Sequence, residues 1–179
     1  MGDPSSISGV VVGVADMAIA REHQGRLITY ALGSCIGLSA FDPVAKVGGL
    51  LHYMLPQPAE QTDPRTLKPA MYATTGIPLL FRRLVEAGAQ QARIVVCAAG
   101  GAEILEGAAT MAIGKRNRTT LRKVLWKMGV TVVAEDTGGV IARTMSLDLC
   151  RGEVRIRSRD AETTLWAPGM KVTPVRSEP

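Results

Sequence analysis

The chain has 179 residues, 46% of them hydrophobic, and a formal net charge of +5. That length makes one ordinary domain with a real core, and an aromatic content of only 4% leaves the core to Val, Leu, Ile, Ala and Met. No apolar run reaches the ~18 residues of a membrane span, no basic segment leads into a long apolar one as in a secretory signal, and the three cysteines are too few and too scattered for a disulfide framework or a CxxC metal pattern. A cytoplasmic protein that is not membrane-inserted and holds no metal or cofactor is expected.

In chain order, Val10–Val14 predicts a first strand and Arg26–Leu32 a second, ending at a Gly33-Ser34 turn. Cys35–Phe41 and Val47–Leu55 are apolar runs without helical period, joined by an Asp42-Pro43 turn opener. Pro56–Pro69 is a proline-rich polar loop, placed to act as a flap. Met71–Ala87 predicts a helix with Ile77, Leu80, Phe81, Leu84 and Val85 on one face, its start delayed or kinked by Gly76-Ile77-Pro78 and its end at Gly88. Arg93–Ala98 reads as a buried strand broken by Gly100-Gly101, and Ala102–Ile113 is ambiguous.

Lys115–Met128 predicts a basic helix that buries Leu121, Val124, Leu125 and Met128 and stops at Gly129. Its cationic side is a solvated face or a dock for an acidic partner; nucleic acid is not expected, because the segment lacks interleaved aromatics. Val130–Ala134 predicts a strand, Glu135–Gly139 a polar connection, and Val140–Leu147 with Glu153–Ser158 a terminal hairpin. Beyond Asp160 the pattern is lost, with Trp166 as an anchor for a partly loose tail. This divides the chain into one domain, 1–160, and a tail, 161–179. Strands outnumber helices and many are joined antiparallel, so the expected fold class is α+β: a layered sandwich of largely antiparallel or mixed β-sheet flanked by helices. The pairs Gly100-Gly101 and Gly138-Gly139 match neither phosphate-loop pattern.

The chemistry centres on Cys35 and His52, one of two histidines. A tight turn after Asp42 brings the second apolar run back antiparallel to the first, with Cys35 facing His52 in one register and Tyr53 in the next. A thiol beside an imidazole is the equipment of cysteine acyl transfer: the imidazole supports the thiolate and protonates the leaving group. Gly33 and Ser34 leave backbone amides free near Cys35 for an oxyanion hole. For an arbitrary Cys and His, burial as a small hydrophobe and as a core histidine is the commoner role.

The string Leu32-Gly33-Ser34-Cys35, with Asp42-Pro43, Gly48-Gly49, His52 and Leu55-Pro56, resembles the CheD family of chemoreceptor glutamine deamidases. So do Gly100-Gly101-Ala102, Ile113–Asn117 and Ala134–Gly139, and the likeness runs from about Val10 to Ile156. It implies a layered sandwich with an active site similar to that of deamidating bacterial toxins. It implies Cys35 as nucleophile, His52 as general base and Thr29 as the residue that supports the histidine. The reaction would hydrolyse selected glutamines on cytoplasmic helices of methyl-accepting chemoreceptors to glutamate, with glutamyl methyl esterase as a second activity and a CheC-like phosphatase as a partner. The sequence departs from the family pattern at Cys97-Ala98-Ala99 and at Glu103–Glu106. Two other readings stay open: a non-catalytic module binding receptor or CheC, and a thiol protease or transglutaminase with the same first half-reaction.

Overall fold

The computed structural model describes residues 9–103, 112–159 and 161–170. Most of the ambiguous stretch Ala102–Ile113, the Ile104–Glu106 part of the departing segment and the end of the tail lie outside them. The described chain runs β1 (Gly9–Val11), β2 (Asp16–Arg21), β3 (Arg26–Leu32), β4 (Ile36–Asp42), β5 (Val47–Tyr53), α1 (Ala73–Glu86), β6 (Val95–Gly100), α2 (Ile113–Lys127), β7 (Val132–Thr137), β8 (Arg143–Asp148), β9 (Glu153–Ser158) and β10 (Ala161–Trp166).

The strands form two five-stranded sheets, ordered β1-β3-β8-β9-β10 and β2-β5-β4-β6-β7. Pairing is antiparallel except for β1 with β3 and β6 with β7. One core lies between the sheets and contains Leu27, Leu32, Leu50, Cys97, Met145 and Leu147. The other lies between the second sheet and the helices, with Ile36, Leu38, Leu51, Ile77, Leu80, Leu121 and Leu125. The result is an α+β sandwich of three layers: sheet, sheet, helices.

This layering explains the letters of β4 and β5, which are buried at every position. A strand in the middle layer meets an apolar neighbour on both faces, so polar alternation disappears. Gly48 and Gly49 belong to the same crowding. A Cβ on Gly48 would lie 2.5 Å from Leu149, and one on Gly49 would lie 2.7 Å from both Ile19 and Leu80. Cys97, also in this layer, has its thiol pushed up to about 12 by burial, and behaves as a hydrophobe.

Several boundaries differ from the sequence reading. β2 was not expected, since Asp16–Arg21 is short and lies beyond a predicted first strand that itself ends early, at Val11. Helix α1 starts at Ala73, upstream of Pro78, instead of being delayed by it, and Val85 is solvent-exposed, off the apolar face. β7 continues through Glu135-Asp136-Thr137, expected as a connection, because β6 runs beside it to Gly100 and supplies ladder partners. The β8–β9 hairpin is not terminal: β10 pairs with β9, and Trp166 is buried at its end.

The largest correction concerns the β4–β5 hairpin. The turn is not tight: four residues, Pro43 to Lys46, separate the closing pair Asp42↔Val47, and Lys46 takes a left-handed φ of 53°. Asp42 caps the turn, accepting from the N–H of Val44 at 2.9 Å and of Ala45 at 3.1 Å. The longer loop moves the register by two residues from the one that faced Cys35 with His52. The ladder ends at Ile36↔Tyr53, and the residue opposite His52 is Gly37. Since the side-chain period is two, Cys35 keeps the same face as His52 but stands diagonal to it.

The turn is anchored from outside as well. The fully buried Asp42 carboxylate receives the Arg93 guanidinium at 2.7 Å and the N–H of Gln90 at 2.8 Å. Burial alone would raise this carboxyl; Arg93 and the three backbone amides outweigh it and hold the group well below the usual carboxylate range.

Candidate functional site

Cys35 sits in the turn immediately before β4, His52 lies in the adjacent strand β5, and Thr29 comes from β3 in the facing sheet. The imidazole therefore sits between the sheets. His52 is 1% exposed and Thr29 is fully buried. The Thr29 hydroxyl lies 2.8 Å from His52 Nδ1 and 2.8 Å from the carbonyl of Val12. These two distances fix the tautomer. The hydroxyl has one hydrogen, and the Val12 carbonyl can only accept, so that hydrogen goes to Val12. Thr29 must then accept from Nδ1–H, which leaves the lone pair on Nε2. Nε2 is itself buried and meets no protein partner among the described residues.

Asp16, the cross-strand neighbour of His52 on β2, does not take the supporting role. Its Oδ1 accepts from the N–H of Met17 at 2.7 Å. The supporting group is a neutral hydroxyl, so it orients the ring without adding a charge to favour imidazolium. Leu32 and Met145 fill the space a side chain at Gly37 would take. In these apolar surroundings burial lowers the His52 pKa. Burial likewise raises the Cys35 thiol, and its own backbone N–H offsets this in part. Both groups are thus driven toward their neutral forms, unlike the ion pair that the spacing of Cys35 and His52 invited.

Cys35 is half-buried, with its thiol free. It ends a turn whose carbonyls are all taken. The Gly33 carbonyl accepts from Ala102 N–H at 2.8 Å, and the Cys35 carbonyl from Gly101 N–H at 2.8 Å. The Ser34 carbonyl accepts from Asn117 Nδ2 at 2.9 Å. In a trans peptide the carbonyl and the following N–H point in opposite directions. Tying the Gly33 and Ser34 carbonyls inward turns the N–H groups of Ser34 and Cys35 outward. Apart from the Cys35 N–H beside its own sulfur, neither meets an acceptor among the described residues, so both can serve a developing oxyanion.

The glycine pairs are part of this support. Gly100 has φ 103°, and a Cβ there would strike the Cys35 carbonyl oxygen. Gly138 N–H donates to the Gly100 carbonyl at 2.8 Å, which brings the two pairs together. Arg143 holds the second pair in place through Asp136 at 2.8 Å and the Gly138 carbonyl at 2.8 Å.

Of the five residues singled out from the sequence, Thr29 and His52 are joined by a hydrogen bond, Gly33, Ser34 and Cys35 form the turn before β4, and His52 Nε2 makes no hydrogen bond to the Cys35 thiol. Two contributors were missed. The Val12 carbonyl carries no signal, since any residue supplies it. Asn117 carried one: it occupies the same helical face as Gly114, Leu121 and Leu125, and a polar residue on an apolar stripe needs a buried partner.

The family model described as CheD chemotactic sensory transduction matches residues 54–158. The chain is 42% identical over 156 residues to a protein of Solibacter usitatus named "Probable chemoreceptor glutamine deamidase CheD", covering 87% of this chain and 92% of that one. A relative from Syntrophus aciditrophicus named "Probable chemoreceptor glutamine deamidase CheD 1" is 43% identical over 149 residues, covering 83% and 93%. One from Pyrococcus abyssi, named "Probable chemoreceptor glutamine deamidase CheD", is 41% identical over 150 residues, covering 83% and 90%. A match over 87% of the chain includes Thr29, Cys35 and His52 wherever it begins. By these likenesses the chain belongs to the CheD family.

Proposed function

We propose that this protein hydrolyses glutamine side chains of chemoreceptors to glutamate, with Cys35 as nucleophile, His52 as general base and Thr29 as the residue that orients it. The observation that carries the reading is the Val12–Thr29–His52 chain, which supports a lone pair on the buried, unpartnered Nε2. It occurs in a chain whose relatives are named for this activity.

The steps balance with no other reactant than water. As the substrate amide enters, the Cys35 proton passes to Nε2 and Sγ bonds to the amide carbon. The oxyanion is held by the Ser34 and Cys35 N–H groups. The C–N bond breaks as His52 returns its proton to nitrogen, releasing ammonia and leaving a thioester. Water, deprotonated by His52, adds to the thioester; the C–S bond breaks and the sulfur regains a proton. No resting ion pair is needed: the proton leaves sulfur as Sγ attacks, and the charge that develops on the carbonyl oxygen is held by the two N–H groups. A glutamyl methyl ester offers the same acyl carbon with methanol as leaving group, so esterase activity belongs to the same proposal.

In this reading the targets are receptor helices in the cytoplasm, and a CheC-like phosphatase is a further partner. Among the described residues no helix is long and apolar enough to cross a membrane. Incubation with a receptor cytoplasmic fragment followed by mass spectrometry tests the reaction. A gain of about 1 Da per modified glutamine (NH₂ replaced by OH) is expected, and none with Cys35→Ala. Equal conversion by the Cys35→Ala protein would sink the nucleophile assignment.

A further inference from the structure

We infer that Asn117 is a positioning residue for the oxyanion hole, a carboxamide staple that aims the Cys35 N–H and fixes the nucleophile turn against the strand carrying the base. The inference deepens the proposed reaction and rests on it for the turnover readouts alone.

The geometry begins where the β4–β5 ladder stops. Its last pair is Ile36↔Tyr53, so the ladder holds neither Ser34-Cys35 nor Met54. Asn117 spans that gap from α2. Its Nδ2 donates to the Ser34 carbonyl at 2.9 Å and to the Met54 carbonyl at 2.8 Å. One carbonyl adjoins the nucleophile; the other lies two residues past His52. Both amide hydrogens are thereby used, each on one of the two segments whose separation sets the site.

Asn117 is itself held rigid. It is fully buried, and the Tyr53 hydroxyl donates to its backbone carbonyl at 3.1 Å. Gly114, one turn earlier, lets the helix seat against the Gly101 and Ala102 carbonyls, which a Cβ there would approach to 2.6 Å. The staple therefore has a fixed base, two fixed ends and no freedom to slide.

Its effect on chemistry runs through one peptide. The Ser34 carbonyl and Cys35 N–H share a plane and point oppositely. Pulling the carbonyl toward Asn117 sends the N–H the other way, to the side of the thiol, where an attacked carbonyl oxygen acquires charge. The contribution of the Cys35 N–H to its own sulfur's environment agrees with that direction. Removing the staple frees the peptide to rotate, and a misaimed donor forfeits part of the ~10²–10³-fold typical of one oxyanion contact.

Two variants and three readouts test this. Asn117→Ala removes both hydrogen bonds; Asn117→Asp keeps the shape and replaces the donating nitrogen with an oxygen. In ammonia release from a receptor fragment, both should lose about 10–100-fold in kcat with KM changed less than about threefold. Iodoacetamide alkylation of Cys35 needs sulfur but no oxyanion hole, and its rate should stay within about threefold of wild type. The third readout needs no receptor. Butanal adds to the thiol as a hemithioacetal, whose oxygen uses the same hole, and protects Cys35 from iodoacetamide. Half-protection should require about tenfold more butanal in both variants.

Unchanged butanal protection in the Asp variant overturns the inference, as does a wild-type kcat in either. Loss of alkylation and protection together, with unfolding by circular dichroism in both variants, would mark Asn117 as merely structural and also overturn it. If the wild-type protein releases no ammonia while butanal protection still depends on Asn117, the staple stands and the deamidase reading falls.

Discussion

Replacing Thr29 with Val isolates the hydroxyl from the shape of the side chain. Val has nearly the same volume and is equally suited to a strand, so packing in the buried site is kept. Two hydrogen bonds are lost, each 2.8 Å long, leaving the Val12 carbonyl and His52 Nδ1 without Thr29 as a partner. A buried polar group left unpaired costs ~1–3 kcal/mol, so the two together should cost about 2–6 kcal/mol. At ~2–4 °C per kcal/mol for a chain of this size, the melting temperature should fall by roughly 4–24 °C.

The effect on turnover has a different cause. Without an acceptor at Nδ1 the ring is no longer bound to one tautomer or one rotamer, and the form with hydrogen on Nε2 cannot act as the base. A loss of roughly 10–100-fold in kcat is expected, part of the ~10²–10⁴ that a positioned general base supplies. Thr29→Ser, which keeps the hydroxyl, should retain activity within about threefold. The assay is ammonia release from a receptor fragment, with circular dichroism melts on the same samples. A Thr29→Val protein with wild-type kcat would refute the orientation argument, whatever its stability.

The pH dependence of the site follows from burial. Because the imidazole is shifted down, the acid limb of the activity profile should have its midpoint below the ordinary ~6.5, and a midpoint above 7 would contradict the neutral-histidine site. Because the thiol is shifted up, iodoacetamide alkylation of Cys35 should still be rising at pH 8.5, near an ordinary cysteine's ~8.5 midpoint; a plateau below pH 7 would reveal a standing thiolate. Asp42→Asn should destabilise the fold by about 2–4 kcal/mol, toward the lower end of the ~3–5 for breaking a buried pair because Arg93 is partly exposed. The Asp42 carboxyl titrates lower in the folded state than its unfolded ~3.9, so its stabilisation is full above that value and fades as pH falls further. Urea melts at pH 7 and pH 3 should therefore show a smaller wild-type-to-variant difference at the lower pH, and an equal difference would count against the carboxylate's role.

Much of this was legible from residue order. Asp42-Pro43 marks a turn wherever it stands, because the side chain caps the following N–H groups locally. The periodicity of Leu80, Leu84, Leu121 and Leu125 specifies helix faces without reference to what covers them. The resemblance added Thr29, which by its own chemistry is an ordinary strand residue.

The pairing register was not legible. Parity, that is, which face Cys35 and His52 share, follows from a period of two and survived; the actual partner depended on a loop of four residues whose length is set by Asp42, Lys46 and the distant Arg93. β2 and β10 are too short to announce themselves and exist because an edge of a sheet was open to them. The protonation of the site also lay beyond the sequence, because the Val12 carbonyl, the apolar cover of Leu32 and Met145, and the Asn117 staple come from segments far apart in the chain. Sequence supplied the proposed nucleophile and base, Cys35 and His52, as residue types at a workable spacing. Only the packing of two sheets and a helix decided which imidazole nitrogen is free, how the Ser34–Cys35 peptide is held, and that burial drives both groups toward their neutral forms.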